Sequence, residues 1–459
     1  MIPSLRVRLG QDDRARRAVR GSIASASGRI VAAISSFISI PILLGYLGLE
    51  AYGLWVTAAA LVTWVALGNL GIPASLVNKL AVVRPGDHDR RNAVFVTAWW
   101  LSAALMLLSV VLLAALEGLA IWSRLFDAST PDLAEAARTF VWVMWLGVAL
   151  TMPLGTTLAV LRADQQVDKA AAVTALGSLV RLLLLALVVQ MDGGFTWLVV
   201  AGAFGPLLPM AIASVRVMGR YVSWPNPRRF ARGLVLGIVT TGVGFMGVTV
   251  ARLAATSVDI LIVAALFGPA DVTTYSVPFA LLLLYSGVAT AVLEGLWPAY
   301  AQAASVGDLR WVQRANRSVT FGLLAAGVVF AVGLTAVGGT FIRLWAGPEA
   351  APPASLLAVF GVVAIVQAIE IPHNRVLMAT GHVRRSTTYG LIAAAVNVPL
   401  SVFLGSLLGL TGVAAGTLVA YLLVLGFIVR DARRAMTPST GSFDTTEPAQ
   451  SEDDVDNGD

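Results

Sequence analysis

Residues 22–45 read SIASASGRIVAAISSFISIPILLG, and residues 46–55 continue the chain as YLGLEAYGLW. The first stretch is almost free of charge over roughly 24 residues, and about 20 helical residues suffice to cross the hydrocarbon core of a bilayer. The second stretch holds two glycines and one acid, and a further apolar run follows it. This pattern predicts a membrane-spanning helix, a short turn and the start of a second helix.

The composition of the whole chain is typical of an integral membrane protein. Of its 459 residues, 57% are hydrophobic and 13% are charged, and the mean hydropathy is +0.80. With no cysteine and three histidines, the chain offers little to a metal centre, so we predict no metal and no other cofactor. The net charge is +6, but the basic residues fall between apolar runs, where they indicate topology rather than nucleic-acid binding.

Apolar runs of helix length recur along the sequence and predict an all-α polytopic membrane protein with about twelve transmembrane helices. We number these runs as segments 1 to 12. The segments are 22–45, 52–77, 93–116, 139–161, 169–190, 195–215, 234–266, 272–298, 318–339, 354–379, 386–407 and 411–429.

The distribution of Lys and Arg predicts which side of the membrane each connection faces. Most of the 32 Lys and Arg residues lie in or beside the connections on one side, in clusters at 79–91, 216–232 and 430–434. Because Lys and Arg accumulate in the cytoplasmic loops of membrane proteins, both termini are predicted to be cytoplasmic. The expected location is the cytoplasmic (inner) membrane, which the chain crosses many times.

The segments divide the chain into five regions. Residues 1–21 form a basic cytoplasmic N-terminus ahead of an uncleaved signal-anchor. Residues 22–218 form an N-lobe of six helices, 219–233 a cytoplasmic linker, and 234–430 a C-lobe of six helices. Residues 431–459 form a cytoplasmic acidic tail, which we expect to be disordered because its composition cannot support a packed core.

The two lobes are related by an internal repeat. A shift of 220 residues places GLEAYGLW, at 48–55, over GPADVTTY, at 268–275, so that glycine meets glycine and an aromatic residue meets another. Each stretch closes one long segment and opens the next. Since each half has an even number of segments, the repeat is predicted to be parallel, with two pseudo-symmetric six-helix lobes around a central cleft.

Several local patterns carry a family resemblance. They are IPILLGYLGLEAYGLW at 40–55, SVDILI at 257–262, FIRLWAG at 341–347 and LMATGH at 377–382. Their order and spacing over about residues 22–430 resemble the polysaccharide (Wzx-like) flippase branch of the multidrug/oligosaccharidyl-lipid/polysaccharide exporter superfamily.

That resemblance implies a function and partners. It implies a flippase that moves a polyprenyl-pyrophosphate-linked oligosaccharide from the cytoplasmic to the outer leaflet by alternating access, for envelope polysaccharide biosynthesis. The implied partners are this lipid-linked oligosaccharide and the membrane lipid. Whether H+ or Na+ is coupled to transport, and whether a polysaccharide polymerase or assembly complex takes part, stays open.

Three arginines within the predicted segments are candidates for binding the substrate. A charge at bilayer depth costs roughly 2.5 to 3.5 kcal/mol on insertion scales, so a retained one usually faces a cavity or a partner. Arg29 and Arg252 lie on polar stripes of segments 1 and 7, and the 220-residue shift places them within a turn of each other. They are predicted to form a clamp, because guanidinium groups bind phosphate oxygens through paired hydrogen bonds. Arg181, in the middle of segment 5, is a third candidate.

Each of these arginines also has a structural interpretation. Arg29 could extend to the lipid headgroups, because long basic side chains near helix ends reach the interface. Arg252 could pair with Asp259, which lies seven residues further along the same face. Arg181 could pair between helices.

Three acids are candidates for ion coupling: Asp259 in segment 7, Glu294 in segment 8 and Glu370 in segment 10. A buried carboxylate holds a proton or a cation unless a basic partner neutralises it. Glu370 shares one helix face with Gln367 and Asn374, so this cluster could bind sugar hydroxyls as readily as a cation.

One apparent motif is excluded by its context. The sequence GVGFMG at 242–247 fits the dinucleotide-binding pattern, but no strand precedes it and no acid follows at the required distance. Within segment 7 it is predicted to serve helix packing or hinging.

Two other classes of function compete with the flippase. The first is a small-molecule exporter, either a multidrug exporter of the same superfamily or a major-facilitator transporter. The second is a membrane glycosyltransferase or ligase, which is disfavoured because the outer connection at about 117–138 has no clustered His or Arg. We therefore predict that the protein is not an enzyme, and the sequence holds no nucleotide-binding loop of the P-loop type.

Overall fold

The computed structural model describes residues 3–84, 86–118 and 131–437, with side chains from residue 27 onward except at a few helical positions. Within this part of the chain the structure is helical, with short connections and no strand. The all-α prediction is therefore confirmed. Most of the predicted acidic tail, from residue 438 on, lies outside the described residues.

We number the α-helices in chain order. They are α1 Pro3–Thr63, α2 Ile72–Ala81, α3 His88–Gly118, α4 Pro131–Ala163, α5 Val167–Gln190, α6 Gly194–Phe204, α7 Leu207–Arg220, α8 Arg232–Phe267, α9 Pro269–Ser305, α10 Leu309–Trp345, α11 Ala354–Ala379, α12 Val383–Leu408 and α13 Leu410–Ala435.

Ten helical stretches of the described chain are long and apolar enough to cross a membrane. One of them, Ser27–Ala81, spans 55 residues and bends at Gly48, so it is long enough for two crossings. Helix α8 contains two shorter apolar stretches, Arg232–Gly244 and Ser257–Phe267. The prediction of about twelve crossings agrees with these helices once the bent stretch is divided and α8 is included.

The two predicted turns of the repeat have the same backbone conformation. Gly48 has φ 77° and ψ 175°, and Gly268 has φ 92° and ψ −180°. Both lie in a region of positive φ that L-residues rarely adopt, so glycine is the residue that permits the sharp change of direction. The helix axis is broken at equivalent positions of the two halves, which agrees with the 220-residue shift.

Two breaks were not predicted. Segment 2 was expected to be continuous over 52–77, but α1 ends at Thr63 and α2 begins at Ile72. Between them, Leu70 and Gly71 have positive φ, and the Gly71 amide donates a hydrogen bond of 2.8 Å to the Asn69 side chain. Segment 6 is likewise divided into α6 and α7 around Pro206, whose ring removes a backbone donor.

We call α1 to α7 the first half and α8 to α13 the second half. In the first half α1 packs on α5, and α4 packs on α2, α3, α6 and α7; in the second, α13 packs on α11 and α12, and α11 packs on α9 and α10. The linker between the halves is tied to α3, since the Ser223 amide donates to Asn92 at 2.8 Å and the Ala231 amide donates to Thr97 at 3.0 Å.

The halves meet along α1 and α9, and α8 also contacts α1 and α2. Near the Gly48 and Gly268 turns, the Thr273 hydroxyl donates to the Leu49 carbonyl at 2.6 Å. A Cβ atom at Gly53 would lie 1.8 Å from the Pro269 carbonyl oxygen. Backbones of the two halves therefore touch directly at this end of the bundle.

The halves also touch near the other end, which we call the basic end. A Cβ at Gly71 would lie 2.2 Å from the Gly242 carbonyl oxygen, and a Cβ at Gly242 would lie 2.3 Å from the Leu70 carbonyl oxygen. The basic end is defined by the connections at 82–84, 86–87, 164–166, 221–231, 306–308 and 380–382. The packing role predicted for the glycines at 242–247 is thus observed at Gly242.

Candidate functional site

An ionic cluster lies between the halves toward the basic end. Arg29 of α1 forms an ion pair with Glu294 of α9, and Arg375 of α11 places a guanidinium nitrogen 3.9 Å from the same carboxylate. The Arg29 side chain is 53% exposed and that of Glu294 is 17% exposed. The guanidinium of Arg29 is therefore accessible to a second anion, while the carboxylate of Glu294 is sheltered.

A third arginine adds positive charge to this cluster. Arg162, at the end of α4, is exposed and close enough to Arg29 for the two charges to repel. Arg375 also experiences the charge of Arg29. Two guanidiniums, those of Arg29 and Arg375, therefore face Glu294, and Arg162 lies near Arg29. Glu370 also interacts with the charge of Arg375, so three arginines and two carboxylates leave the cluster with excess positive charge.

Arg375 is held in place by an aromatic ring. Its guanidinium carbon lies 5.3 Å from the centroid of Trp297, within the range of a cation–π interaction. Trp297 lies one turn beyond Glu294 on α9, so the same helix supplies both the ring and the carboxylate. This arrangement fixes Arg375 between Glu294 and the ring of Trp297.

Arg375 also lines a cavity of about 360 Å³ within the second half. The polar part of its wall includes Ser286, Gln367, Glu370, Asn374, Arg375 and Tyr421. Asn374 donates to Glu370 at 2.9 Å, and Ser286 donates to Gln367 at 2.5 Å. The predicted shared face of Gln367, Glu370 and Asn374 is thus part of one cavity wall.

Asp259 lies at a second, more deeply buried polar site. Its side chain is 3% exposed and accepts hydrogen bonds from Tyr275 at 3.0 Å, from Asn397 at 2.8 Å and from Thr417. These residues come from α8, α9, α12 and α13. The described hydrogen-bond partners are all neutral, and Asn397 and Thr417 also line the cavity.

The predicted site residues are only partly brought together. Arg29 and Glu294 form the cluster, whereas Asp259 and Glu370 lie within the second half. The side chain of Arg252 lies outside the described residues, so its predicted facing of Arg29 and its pairing with Asp259 stay predictions.

Arg181 lies away from the cluster, in the first half. A Cβ at Gly28 would lie 3.2 Å from the Ala171 carbonyl oxygen, and Arg181 is ten residues further along α5, which is about 15 Å of helix. Its charge interacts with Tyr52. The substrate role predicted for Arg181 stays a prediction.

Sequence reasoning missed Arg162 and Arg375. Both lie within a turn or two of a basic connection, so they were counted as topology signals. It also missed Asn397 and Thr417, which are neutral and lie 138 and 158 residues from Asp259. An Arg in segment 10, five residues after Glu370, was the available signal for Arg375.

Comparison with known proteins identifies the fold. The lipid II flippase MurJ, in an inward closed conformation, superposes with a TM-score of 0.72 at 13% identity, covering 91% of this chain and 88% of that chain. A multidrug resistance MATE family transporter of the MOP superfamily, in an inward-facing conformation, superposes with a TM-score of 0.65 at 16% identity, covering 91% and 93%. The chain therefore has the fold of this transporter superfamily, and the predicted fold resemblance is confirmed.

Sequence comparison identifies the family. The probable flippase AglR of Haloferax volcanii is 26% identical over 397 residues, which is 83% of this chain and 76% of that protein. The family model for "Polysaccharide biosynthesis protein" matches residues 18–304, more than half of the chain. These relatives are flippases and transporters rather than enzymes. The chain therefore belongs to the polysaccharide biosynthesis protein family of multi-pass membrane flippases and transporters.

Proposed function

We propose that this protein flips a polyprenyl-pyrophosphate-linked oligosaccharide from the cytoplasmic to the outer leaflet of the cytoplasmic membrane, for envelope polysaccharide biosynthesis. In this proposal the basic end faces the cytoplasm, as the distribution of Lys and Arg predicts. The observation that carries the proposal is the ion pair of Arg29 with Glu294 across the two halves, with Arg375 beside Glu294 and Arg162 near Arg29.

The chemistry of the cluster suits a pyrophosphate. Guanidinium groups stay protonated in a low dielectric and bind two phosphate oxygens at once. The cluster contains more guanidiniums than carboxylates, so an added anion would balance its charge. Its position near the cytoplasmic end suits a headgroup that arrives from the inner leaflet, where lipid-linked sugars are assembled.

The contacts between the halves suit alternating access. The halves touch at both ends of the bundle, at Gly53 against Pro269 and at Gly71 against Gly242. A substrate between the halves reaches one side when one of these contacts opens and the other stays closed. The prenyl chain would stay in lipid while the headgroup crosses between the halves, so the membrane lipid is a partner throughout.

Ion coupling is assigned to the acids of the second half. Asp259 is a buried carboxylate whose described hydrogen-bond partners are all neutral, and such a carboxylate suits uptake of H+ or of Na+. Glu370 in the neighbouring cavity is the alternative. An ion moved down a potential of 100 mV supplies about 2.3 kcal/mol per charge, which is enough to bias the direction of flipping.

A multidrug exporter of the same superfamily is the second candidate. The observation that favours it is the cavity of about 360 Å³ with Glu370 in its wall, which could take a small cationic molecule. The exposed arginines between the halves favour an anion instead. The major-facilitator alternative is abandoned because the chain belongs to a different family.

The test is leaflet transfer in proteoliposomes of a fluorescent undecaprenyl-pyrophosphate-linked oligosaccharide. Arg29→Ala and Arg375→Ala should each lower the initial rate about tenfold or more, because each removes a charge-assisted contact with the pyrophosphate. Arg314→Ala is the matched control, since Arg314 is exposed on α10 near the same end and bonds the Arg310 carbonyl of its own helix at 3.4 Å.

The control should retain the rate of the unmodified protein. If the unmodified protein transfers no lipid-linked sugar under imposed gradients but extrudes cationic dyes, the flippase proposal is wrong and the exporter replaces it.

A further inference from the structure

We propose that the carboxylate of Glu294 competes with the phosphate group of the substrate for the guanidinium of Arg29. While the basic end is closed, Glu294 is paired with Arg29. A phosphate group that displaces Glu294 allows the two halves to separate at this end. This inference rests on the proposed function, because it concerns the same arginine cluster. It adds a role for Glu294 that differs from the ion coupling predicted from the sequence.

The ion pair joins the two halves. Arg29 belongs to α1 and Glu294 to α9, whereas the pairs of Arg91 with Asp164 and of Arg385 with Asp431 each lie within one half. The Arg29–Glu294 pair is therefore a link that must break when α1 and α9 separate at the basic end. The neighbouring contact of Gly71 with Gly242 is between backbones and carries no charge that an anion could compete for.

The carboxylate and an incoming phosphate need the same partner. Arg29 is 53% exposed, so a second anion can reach its guanidinium from the exposed side. A phosphate binds a guanidinium with the same paired geometry as a carboxylate does. Both anions cannot take the full guanidinium at once, so the bound phosphate weakens the link to Glu294.

Arg375 lowers the free-energy cost of separating Glu294 from Arg29. A sheltered carboxylate left without a cation would be strongly destabilising. The guanidinium of Arg375 already lies 3.9 Å from Glu294 and is held over Trp297, within the same half. Glu294 can therefore exchange one arginine for another without losing all of its charge compensation.

The exchange converts anion binding into a change of conformation. A ligand shifts an equilibrium between two states only by its difference in affinity for them. In the closed state Glu294 lowers the affinity of Arg29 for an anion, and in the open state it does not. An anion therefore favours opening of the basic end, and removal of the Glu294 charge should favour opening without any anion.

The chain has no cysteine, so pairs of spin labels can be introduced without background. Val82 and Val306 are 82% and 75% exposed and lie in connections of the two halves at the basic end. We would label Val82→Cys/Val306→Cys protein in nanodiscs of zwitterionic lipid and measure inter-label distances by double electron–electron resonance. Inorganic pyrophosphate is the probe, and potassium chloride at equal ionic strength controls for charge screening.

Pyrophosphate should increase the long-distance population in the otherwise unmodified protein, and Glu294→Gln should show that population without pyrophosphate. The apparent Kd for pyrophosphate should fall about tenfold in Glu294→Gln, because the competing charge is gone. Arg29→Ala should also show the long-distance population, but it should not respond to pyrophosphate. Glu349→Gln, at an exposed acid of the opposite end, is the matched control and should behave like the unmodified protein.

The proposal is overturned if Glu294→Gln has the distances and the pyrophosphate affinity of the unmodified protein, or if potassium chloride opens the basic end as well as pyrophosphate does. If Glu294→Gln fails to fold, the proposal is judged by the pyrophosphate titration of the otherwise unmodified protein, which must show the increase in the long-distance population. Opening in nanodiscs with phosphatidylglycerol and no pyrophosphate would support the exchange and assign the anion to bulk lipid. A protein that flips substrate but fails these tests leaves the proposed function intact.

Discussion

Replacement of Gly242 by valine is expected to lower flipping to the level of protein-free liposomes. A Cβ at this position would lie 2.3 Å from the Leu70 carbonyl oxygen, far inside van der Waals contact. The obstacle is backbone on both sides, since the Gly242 carbonyl itself lies against Gly71. No side-chain rotation can relieve it, so the halves cannot close at the basic end and the transport cycle stops in one state.

Gly244→Val is the matched control for this prediction. Gly244 lies two residues further along α8, is exposed, and has no heavy atom within 4 Å of a Cβ built on it. Both variants put valine in place of glycine in the same helix, so their intrinsic helix propensities change equally. Gly244→Val should flip at the unmodified rate, and the spin labels at positions 82 and 306 should move apart only in Gly242→Val.

A Gly242→Val protein that is monodisperse and still flips at the unmodified rate would contradict this account. It would mean that the close approach of Gly71 and Gly242 is not visited during transport. Loss of folded protein would be detected beforehand by size-exclusion chromatography and thermal unfolding, and the weaker Gly242→Ala would then be used in its place.

The fold could be predicted from the sequence because, in a membrane protein, a long apolar run indicates a helix without ambiguity. An apolar run must be helical when it spans a membrane, since its backbone groups have no other partners there. The turns at Gly48 and Gly268 were predicted from the repeat, and both have positive φ as glycine permits. The break at Leu70 and Gly71 was missed although Gly68, Asn69 and Pro73 flank it, because a hydropathy pattern does not register turn residues inside an apolar run.

The candidate site was less predictable because it depends on contacts between distant segments. Arg29 and Glu294 were each identified as isolated intramembrane charges, but their pairing across 265 residues has no local signal. Arg375 was counted with the cytoplasmic positive charges, since a helix-end arginine that orients the chain and one that faces a gap look alike in sequence. Only packing of α11 against α9 separates these two uses.

The second large effect is expected at Asp259, where Asp259→Asn should abolish the response of flipping to an imposed ion gradient. The carboxylate is 3% exposed and accepts hydrogen bonds from three neutral groups, those of Tyr275, Asn397 and Thr417. Asparagine has nearly the same shape, but it carries no charge and cannot take up a proton or hold a cation by its charge.

The size of the effect follows from the charge that is no longer moved. At 100 mV, one uncoupled charge removes about 2.3 kcal/mol of driving force, which corresponds to about a 50-fold smaller accumulation ratio. Asp259→Ala should in addition be less stable, because three buried donors lose their acceptor. At about 0.6 kcal/mol for each intramembrane hydrogen bond, the loss is about 2 kcal/mol.

The measurement is the initial rate of flipping in proteoliposomes with an imposed Na+ gradient, an imposed pH gradient or no gradient. Asp259→Asn should flip equally slowly in all three, and the control Asp89→Asn, at an exposed acid near the start of α3, should respond as the unmodified protein does. If Asp259→Asn still responds to a gradient and Glu370→Gln does not, the coupling ion binds in the neighbouring cavity instead. In that case the three hydrogen bonds to Asp259 serve only to join α8, α9, α12 and α13. The coupled ion would then bind at Glu370, whose neighbour Arg375 also lies beside Glu294.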